Sequence, residues 1–269
     1  MKRATRYGFV GAGNMASALI KGAVRSTLIP PDRIEAYDID ERKLALLKDE
    51  LAINISLNAS RLISDCDCLV IAVKPNVIAS AMQQISGAVS IKKPLIISIA
   101  AGQSLARLQE LCGSSLPIIR VMPNLNAEVG EAISAYCCNS LVGEEMREAA
   151  VNLLRCSGEV IEIPETLFPV FDAIGGASPA FCFLFADAMT RAAVKNGMTR
   201  ADAQTVVYKA IEGSIKYLRQ SKEHPWELID KVCSPGGITV EGVFALQENG
   251  FQDSIAKAVQ AVIQKDLSI

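Results

Sequence analysis

A glycine-containing segment near the N-terminus has the residue types and spacing of a loop that binds a dinucleotide. It reads Gly11-Ala-Gly13-Asn-Met-Ala16 and stands between a short apolar run and an amphipathic stretch. Gly11 permits a tight turn, Gly13 places no side chain against a phosphate, and Ala16 lets helix and strand pack closely. Backbone N–H groups where the helix starts, at Asn14 and Met15, would face the phosphates, which the helix dipole also attracts. A tight strand-to-helix turn without a ligand is the alternative.

An acidic residue follows the second predicted strand, where a dinucleotide-binding unit places a carboxylate. Asp38 lies 25 positions after Gly13, and a carboxylate there hydrogen-bonds the ribose 2′-hydroxyl of NAD. Arg42 and Lys43 come shortly afterwards and could accommodate the 2′-phosphate of NADP. Capping of the next helix by Asp38 or Asp40 is a further alternative. The sequence leaves the choice between NADH and NADPH open.

Three more predicted strands end in glycine, proline or small residues. Their last residues read AVKP at 72–75, SIAAG at 98–102 and RVMPN at 120–124. In open α/β sheets, ligands bind at the carboxyl ends of the strands. The cofactor contacts predicted from these segments are Val73, Lys74, Pro75, Ala100, Ala101, Gly102, Met122, Pro123 and Asn124. Each could also be a plain turn residue.

A second glycine-containing segment interrupts the helical C-terminal part of the chain. It reads Cys-Ser-Pro-Gly-Gly-Ile-Thr at 233–239, and Pro235, Gly236 and Gly237 all disfavour helix. The two glycines leave backbone N–H groups unobstructed, and a helix N-terminus follows directly, which together make an anion site. An ordinary helix–loop–helix turn with Thr239 as its N-cap is the alternative.

The elements that must position these segments change in character along the chain. Strands are predicted at 7–11, 33–38, 68–73, 94–100, 117–122, 131–138 and 159–163, with helices at 14–26, 41–51, 75–86, 103–112 and 143–155. Such alternation is typical of an α/β domain with a mostly parallel sheet and right-handed crossovers. Helices alone are predicted afterwards, at 178–197, 199–221, 225–232, 239–249 and 251–267. Two domains are therefore predicted, 1–163 and an all-helical 164–269.

Residues 178–188 are apolar on almost every face of their predicted helix. A helix that is apolar all round must be buried on all sides. A helical domain of this size offers too little interior for that. We therefore expect a homodimer or a larger homo-oligomer built through the C-terminal domain.

The composition excludes some classes of function. The chain has 269 residues with a formal net charge of −2, so no basic surface for nucleic acid or acidic membranes is predicted. Charge or glycine breaks the apolar stretches before about 18 residues, so no membrane-spanning helix is expected. A cytoplasmic protein is the expectation.

The eight cysteines and the single histidine do not form a metal-binding pattern. No Cys-x-x-Cys pair occurs, and His224 stands alone in a polar loop ahead of a helix. Zinc-ligand spacing is therefore absent. We expect the cysteines to serve as small apolar core residues, and no metal site is predicted.

Taken together, these segments resemble the pyrroline-5-carboxylate reductase family over essentially the whole chain. The resemblance is carried by the loop at 8–22, the strand ends at 72–75, 98–102 and 120–124, SPAF at 178–181, the run at 223–239 and GF at 250–251. The chain departs from the family pattern at 125–126, where it has Leu-Asn, and at 175–178, where it has Gly-Gly-Ala-Ser.

The resemblance implies a Rossmann-type N-terminal domain, an all-α C-terminal dimerisation domain and reduction of 1-pyrroline-5-carboxylate to L-proline by NADH or NADPH. It also implies that Asn58 touches the adenosine ribose, although this residue could equally cap a helix. The implied substrate site has Ser234 and the N–H groups of Gly236, Gly237 and Ile238 binding the carboxylate. Thr239 would be the catalytic residue, with its hydroxyl group near the imine nitrogen.

Two other functions stay open from the sequence. A β-hydroxyacid dehydrogenase shares the two-domain plan, but such enzymes resemble one another in a lysine that follows a glycine-rich helix start. Here no lysine follows residue 175 until Lys195. A nucleotide-binding regulator without turnover is the other alternative, which the departures at 125–126 and 175–178 leave open.

Overall fold

The computed structural model describes residues 4–268. Its contacts divide the chain into two compact units, one of residues 4–176 with 265–268, and one of residues 177–264.

The first unit is built on an eight-stranded sheet in the order β3-β2-β1-β4-β5-β6-β7-β8. The strands are β1 Tyr7–Val10, β2 Ile34–Tyr37, β3 Asn54–Ile55, β4 Cys68–Ile71, β5 Leu95–Ser98, β6 Ile118–Met122, β7 Ala132–Cys138 and β8 Gly158–Glu162. Neighbouring strands are parallel except β6 and β7, which are antiparallel. The central strands β1, β4 and β5 are buried along their whole length, as expected for a parallel sheet covered on both faces.

Seven helices belong to the first unit. They are α1 Asn14–Arg25, α2 Glu41–Leu51, α3 Ala59–Asp65, α4 Ile78–Lys92, α5 Leu105–Cys112, α6 Glu144–Arg155 and α7 Phe168–Phe171, and a π-helical turn Asp172–Gly176 follows α7. One core joins α1, α2 and α6 to one face of the sheet, with Leu19 and Leu153 fully buried. A second core joins α3, α4 and α5 to the other face, around Leu62 and Met82. The sheet is therefore sandwiched between two helical layers.

The strands of the described residues end at Glu162, close to the predicted domain boundary after residue 163. The contacts place the division between compact units later, after Gly176. The reason is that Phe168 and Phe171 of α7 pack against Ala135 and Cys137 of β7. The segment after the last strand therefore belongs by packing to the sheet.

The second unit contains helices α8 Ser178–Lys195, α9 Arg200–Gln220, α10 Pro225–Val232, α11 Ile238–Glu248 and α12 Phe251–Asp266, the last two residues of α12 counting with the first unit. Thr199 caps α9 by accepting from the backbone N–H of Asp202, and His224 starts α10 in a capping box with Glu227. These caps confirm the helix starts that the sequence predicts there.

Helix α8 leaves much of its apolar surface uncovered within the second unit. Phe183 is 59% exposed and Leu184 70% exposed, while only Pro179 and Thr190 of this helix are buried. Exposed contiguous apolar surface of this kind marks an interaction site. The segment Glu165–Lys195 is also long and apolar enough to cross a membrane by length and composition, contrary to the expectation from the sequence. An apolar helix of a protein core passes the same test.

The predicted fold class is confirmed in its main features, and the sequence missed two elements. β3 has only two residues, and the mixed polar pattern of α3 predicts no helix range, although a helix capped by Asn58 is one alternative. Four of the eight cysteines are buried, three are partly buried and one is exposed. Burial raises the pKa of the thiols of Cys66, Cys68 and Cys137 to about 12, so these are inert core residues at neutral pH. Cys182 is exposed within the second unit, so it is not a core residue of the single chain.

Candidate functional site

The loop after β1 has a shape that only glycine allows at its first position. Gly11 has a φ of +103° and donates its N–H to the carbonyl oxygen of Tyr37 at 2.8 Å. A Cβ at Gly11 would lie 2.6 Å from the carbonyl oxygen of Ala72. The loop is thus drawn against both neighbouring strand ends, β2 and β4, and a side chain there would push it outward.

The start of α1 is open and suited to an anion. Gly13 is the N-cap residue, and no side chain caps this helix, so the first N–H groups of α1 lack the usual side-chain acceptor. No atom lies within 4 Å of the place where a Cβ of Gly13 would stand. Free N–H groups beside open space at a helix N-terminus fit the pyrophosphate of a dinucleotide.

Asp38 is joined to the glycine loop. Its Oδ2 accepts the N–H of Ala12 at 2.7 Å, and its Oδ1 accepts the N–H of Asp40 at 2.9 Å. The carboxylate therefore fixes the loop to the end of β2. Of the two residues that the sequence offered as caps of α2, Asp40 takes that role by accepting from the N–H of Arg42.

Arg42, the arginine that follows Asp38 in the sequence, forms an ion pair with Asp40. The guanidinium of Arg42 binds Asp40 through Nε to Oδ1 at 3.0 Å and through Nη2 to Oδ2 at 3.2 Å. These hydrogen bonds from Arg42 lower the pKa of the Asp40 carboxyl. The Arg42 side chain is 89% exposed, and its ion pair is therefore of the weak surface type.

A cavity of about 530 Å³ opens beside the loop, between the ends of β1, β2 and β4 and one face of α4. Of the predicted cofactor contacts, it brings together Gly11, Gly13, Asp38, Val73 and Lys74. Four α4 residues also line it that the sequence did not single out, namely Ser80, Ala81, Gln84 and Ile85. A volume of this order is typical of small-molecule and cofactor sites.

The other predicted contacts of the first unit follow neighbouring strands. Val10 is in register with Ile71, Ile71 with Ser98, and Ser98 with Arg120. Because these strands are parallel, the residues after them share one edge of the sheet, with strands about 4.8 Å apart. Asn14, Met15, Pro75, Ala100, Ala101, Gly102, Met122, Pro123 and Asn124 stand on this edge without lining the 530 Å³ cavity.

Asn124 performs a structural role at that edge. Its side chain is buried, donates from Nδ2 to the carbonyl oxygen of Gly175 at 2.9 Å, and accepts at Oδ1 from the N–H of Ile133 at 3.3 Å. It thereby ties the end of β6 to the π-helical turn and to β7. Loss of a buried side chain with two such bonds would leave two backbone groups unsatisfied.

Asn58 is the N-cap of α3. Its Oδ1 accepts the N–H of Arg61 at 3.1 Å, and the residue is exposed and outside the lining of the 530 Å³ cavity. The structure therefore supports the capping alternative for this residue, while contact with a ribose stays a prediction.

A buried charged cluster lies behind the edge, on the side of α7. Arg120 binds Glu165 at 3.0 Å and lies over the Phe168 ring at 4.1 Å from its centroid. Asp172, in the π-helical turn, is 7% exposed and hydrogen-bonds the side chain of Asp266. Burial and the neighbouring Asp266 raise the pKa of Asp172 to about 7, against an opposing effect of Arg120. No motif pointed to this cluster, because Asp172 stands within an apolar run.

In the second unit, the turn between α10 and α11 has the predicted form. Gly236 has a φ of +67°, and α11 begins at Ile238 with Gly237 as an N-cap that has no side-chain hydrogen bond. Thr239 therefore lies in the first turn of α11 and is not its N-cap. One predicted donor is already used, because the N–H of Gly237 bonds the carbonyl oxygen of Ser234 at 2.9 Å. A Cβ at Gly237 would lie 2.4 Å from Ser234 Oγ and 3.0 Å from its carbonyl oxygen, so a side chain there would require the Ser234 side chain to move.

A cavity of about 740 Å³ lies between α9, α10 and the start of α11. Thr239 and Cys233 line it, together with apolar residues such as Leu228 and Val243. Ser234, Gly236, Ile238 and Thr239 are all exposed in this unit. The carboxylate site predicted at this turn is thus accessible from outside the second unit.

Comparisons with known proteins cover nearly the entire chain. It is 36% identical over 260 residues to the pyrroline-5-carboxylate reductase of Escherichia coli, covering 97% of this chain and 96% of the relative. The chain belongs to the pyrroline-5-carboxylate reductase family. The resemblance found in the sequence is therefore confirmed.

Family models divide the reductase chain into two parts. Residues 165–269 match the family described as pyrroline-5-carboxylate reductase dimerisation. Residues 6–102 match the family described as NADP oxidoreductase, coenzyme F420-dependent. The first match supports homo-oligomerisation of this reductase-family chain.

Solved structures of reductases from other organisms share the fold. One from Plasmodium falciparum with NADP bound is 32% identical, with a TM-score of 0.88 and coverage of 97% of each chain. One from Streptococcus pyogenes is 32% identical, with a TM-score of 0.89 and coverage of 98% of this chain and 99% of that chain. The prediction of a Rossmann-type domain with a helical C-terminal domain is confirmed for this member of the family.

Proposed function

We propose that this protein reduces 1-pyrroline-5-carboxylate to L-proline with NADH or NADPH. The observation that carries the proposal is the identity of 36% to a pyrroline-5-carboxylate reductase over almost the full length of both chains. The open glycine loop at Gly11 and Gly13 and the glycine turn at Gly236 and Gly237 add the two anion sites that such a reaction needs.

The reaction adds a hydride to the imine carbon and a proton to the imine nitrogen. The nicotinamide cofactor supplies the hydride when bound. The residues of this chain then have three tasks, which are to hold the dinucleotide, to fix the substrate carboxylate and to provide for the proton.

The dinucleotide would be held along the edge of the sheet. The uncapped N–H groups at the start of α1, including those of Asn14 and Met15, would hold the pyrophosphate. The residues after β4, β5 and β6, which include Lys74, Gly102 and Pro123, form the rest of the edge. They lie where nucleotides bind in open α/β sheets.

The substrate carboxylate would be held by the turn before α11. Ser234 contributes its hydroxyl group, and Gly236 and Ile238 contribute backbone N–H groups. The N–H of Gly237 bonds the carbonyl oxygen of Ser234, so the other donors of the turn would carry more of the carboxylate binding. Thr239, in the first turn of α11, would place its hydroxyl group by the imine nitrogen and donate or relay the proton.

The protein would work as a homo-oligomer assembled through its helical unit, at least as a dimer. The exposed apolar side chains of α8 support this assembly. So does the match of residues 165–269 to the dimerisation family. A cytoplasmic location and the absence of nucleic-acid and membrane partners stay predictions.

The decisive assay follows the absorbance of the reduced nicotinamide while 1-pyrroline-5-carboxylate is added, with NADH and NADPH in separate runs. Substrate-dependent oxidation of either nucleotide with formation of an equal amount of proline is expected. Binding of both nucleotides without oxidation would instead support a regulator without turnover. Reduction of the oxidised nucleotide by a β-hydroxyacid, with no reaction of the imine, would support the dehydrogenase alternative.

A further inference from the structure

Carboxylates line the 530 Å³ cavity on the side formed by β2 and α2. Asp38 and Asp40 both belong to the lining, together with Ile39 and Lys43. The Asp38 carboxylate cannot swing away freely, because the N–H groups of Ala12 and Asp40 bind its two oxygens at 2.7 Å and 2.9 Å. Each carboxylate oxygen has a second lone pair, so Asp38 can still accept a further hydrogen bond.

The position of Asp38 bears directly on which nucleotide binds. In a dinucleotide-binding unit, the acidic residue after the second strand accepts from the ribose 2′-hydroxyl, and a nearby arginine accommodates a 2′-phosphate. A phosphate monoester carries close to two negative charges at neutral pH. Placed against a fixed carboxylate, it would be repelled, and the carboxylate would also lose its hydroxyl donor.

The arginine that could offset this repulsion is paired with Asp40 at the protein surface and would have to give up that pair to reach a phosphate. Arg42 uses its planar fork on Asp40 through two hydrogen bonds, and it does not line the cavity. Lys43 lines this cavity and also a neighbouring one of about 270 Å³ between α1 and α2. A lysine is a point charge on a flexible stem and lacks the bidentate geometry that arginine offers to a phosphate.

We propose that this protein prefers NADH to NADPH and that Asp38 is the residue that determines the preference. The inference rests on the proposed function, because it takes the same cavity as the nucleotide site. The relative from Plasmodium falciparum was solved with NADP bound, so family membership alone does not fix the nucleotide. In this chain, the residues that follow β2 determine which nucleotide is preferred.

The test measures binding of each reduced nucleotide to the whole protein without substrate, by titration of nicotinamide fluorescence. Wild type should bind NADH at least about tenfold more tightly than NADPH. The ratio of the two dissociation constants should decrease with added salt, because salt screens the repulsion between charges. Asp38→Asn keeps the size of the side chain and an acceptor for Ala12 but removes the charge. It should shift the ratio of dissociation constants toward NADPH by at least about tenfold.

Two further variants make the comparison specific. Asp40→Asn frees Arg42 and should shift the ratio in the same direction by a smaller factor. Asp49→Asn removes the same charge from an exposed position of α2 outside the cavity lining, and it should leave the ratio unchanged. Melting curves of all variants report whether the glycine loop and the fold survive.

The outcomes separate this inference from the proposed function. If neither nucleotide binds wild type, the proposed function fails. If wild type binds NADPH as tightly as NADH or more tightly, the inference about nucleotide preference is wrong while the proposed function stands. The wild-type protein alone is sufficient for this test. A folded Asp38→Asn protein with the wild-type ratio would equally overturn it.

Discussion

The side chains of Asp172 and Asp266 hydrogen-bond each other, which two carboxyl groups can do only by sharing a proton. The contact joins the π-helical turn after α7 to the last residue of α12. Arg120 acts on Asp172 from β6, and Glu165 takes the guanidinium of Arg120 at 3.0 Å. Within the described residues, Asp172 Oδ1 is also left without a partner. The shared proton therefore reduces the negative charge of a cluster that has more carboxyl groups than cations.

This carboxyl pair predicts a specific dependence of stability on pH. Burial raises the pKa of Asp172 from 3.8 to about 7 in the folded protein. Between those two pH values the folded state binds more protons than the unfolded state, so the free energy of unfolding falls as the pH rises from about 4 to about 7. In Asp172→Asn this fall should shrink. Near pH 8 the variant should match or exceed the wild-type stability by about 1–2 kcal/mol.

Denaturant unfolding of both proteins at several pH values between 5 and 8 measures the effect. Asp253→Asn removes an exposed carboxylate from α12 and should keep the wild-type pH dependence. Parallel pH profiles for wild type and Asp172→Asn would show that the pair does not hold its proton in this range.

The sequence predicted the parts of the site whose chemistry is local. The glycine loop, the helix that follows it and the turn at 233–239 are set by residues a few positions apart, and Gly11 and Gly236 do have the positive φ angles that such turns require. Asp172 and Asn124 could not be assigned in this way. Their roles depend on Asp266 and Gly175, which reach them only through the folded packing of α12 and the π-helical turn.

Other features could not be predicted because their local sequence carries no distinctive pattern. β3 has two residues, too few for an alternating pattern to appear. The face of α4 that lines the cavity carries Ser80, Ala81 and Gln84 beside the buried Ile85, and these types indicate only an ordinary amphipathic helix. The domain boundary was placed at the last strand, whereas packing of Phe168 and Phe171 extends the first unit beyond it.

The two glycines of the nucleotide loop should respond differently to the same substitution. Gly11→Ala brings a Cβ to 2.6 Å from the carbonyl oxygen of Ala72 at a φ of +103°. It should lower both the melting temperature and nucleotide affinity. Gly13→Ala meets no atom within 4 Å, so the fold should be unaffected while the methyl group occupies the space of the pyrophosphate.

We expect Gly13→Ala to weaken NADH binding by at least about tenfold with a melting temperature within about 2 °C of wild type. Fluorescence titration and thermal unfolding measure the two quantities on the same samples. Gly87→Ala, at another glycine with open space in α4, is the matched control and should bind NADH normally. Unchanged NADH affinity in Gly13→Ala would place the pyrophosphate elsewhere.

Thr239 provides a test of the proton step. Thr239→Ala removes the hydroxyl group from the first turn of α11 without touching the cap at Gly237. If that hydroxyl group contacts the imine nitrogen in the transition state, kcat should fall at least about tenfold, since such a contact contributes roughly 1.4 kcal/mol or more. Thr239→Ser keeps the hydroxyl group and should retain most of the activity. A Thr239→Ala enzyme with wild-type kcat would exclude the role.

The exposed apolar face of α8 predicts how the protein assembles. Leu184 is 70% exposed within its own unit, and we expect it to be buried against a second copy of the chain. Wild type should therefore show a native mass of at least twice 28.8 kDa by light scattering. Leu184→Asp would place an uncompensated charge in that interface, a change that destabilises association by several kcal/mol, and it should shift the protein toward the single-chain mass at micromolar concentration.

Ile91→Asp is the matched control, because it makes the same kind of change at a residue of α4 that is 88% exposed. Ile91 belongs to the first unit, so its variant should keep the wild-type mass. Circular dichroism distinguishes loss of assembly from loss of the helices themselves. A wild-type mass of one chain, or a Leu184→Asp mass equal to that of wild type, would mean that α8 is not the surface through which the copies meet.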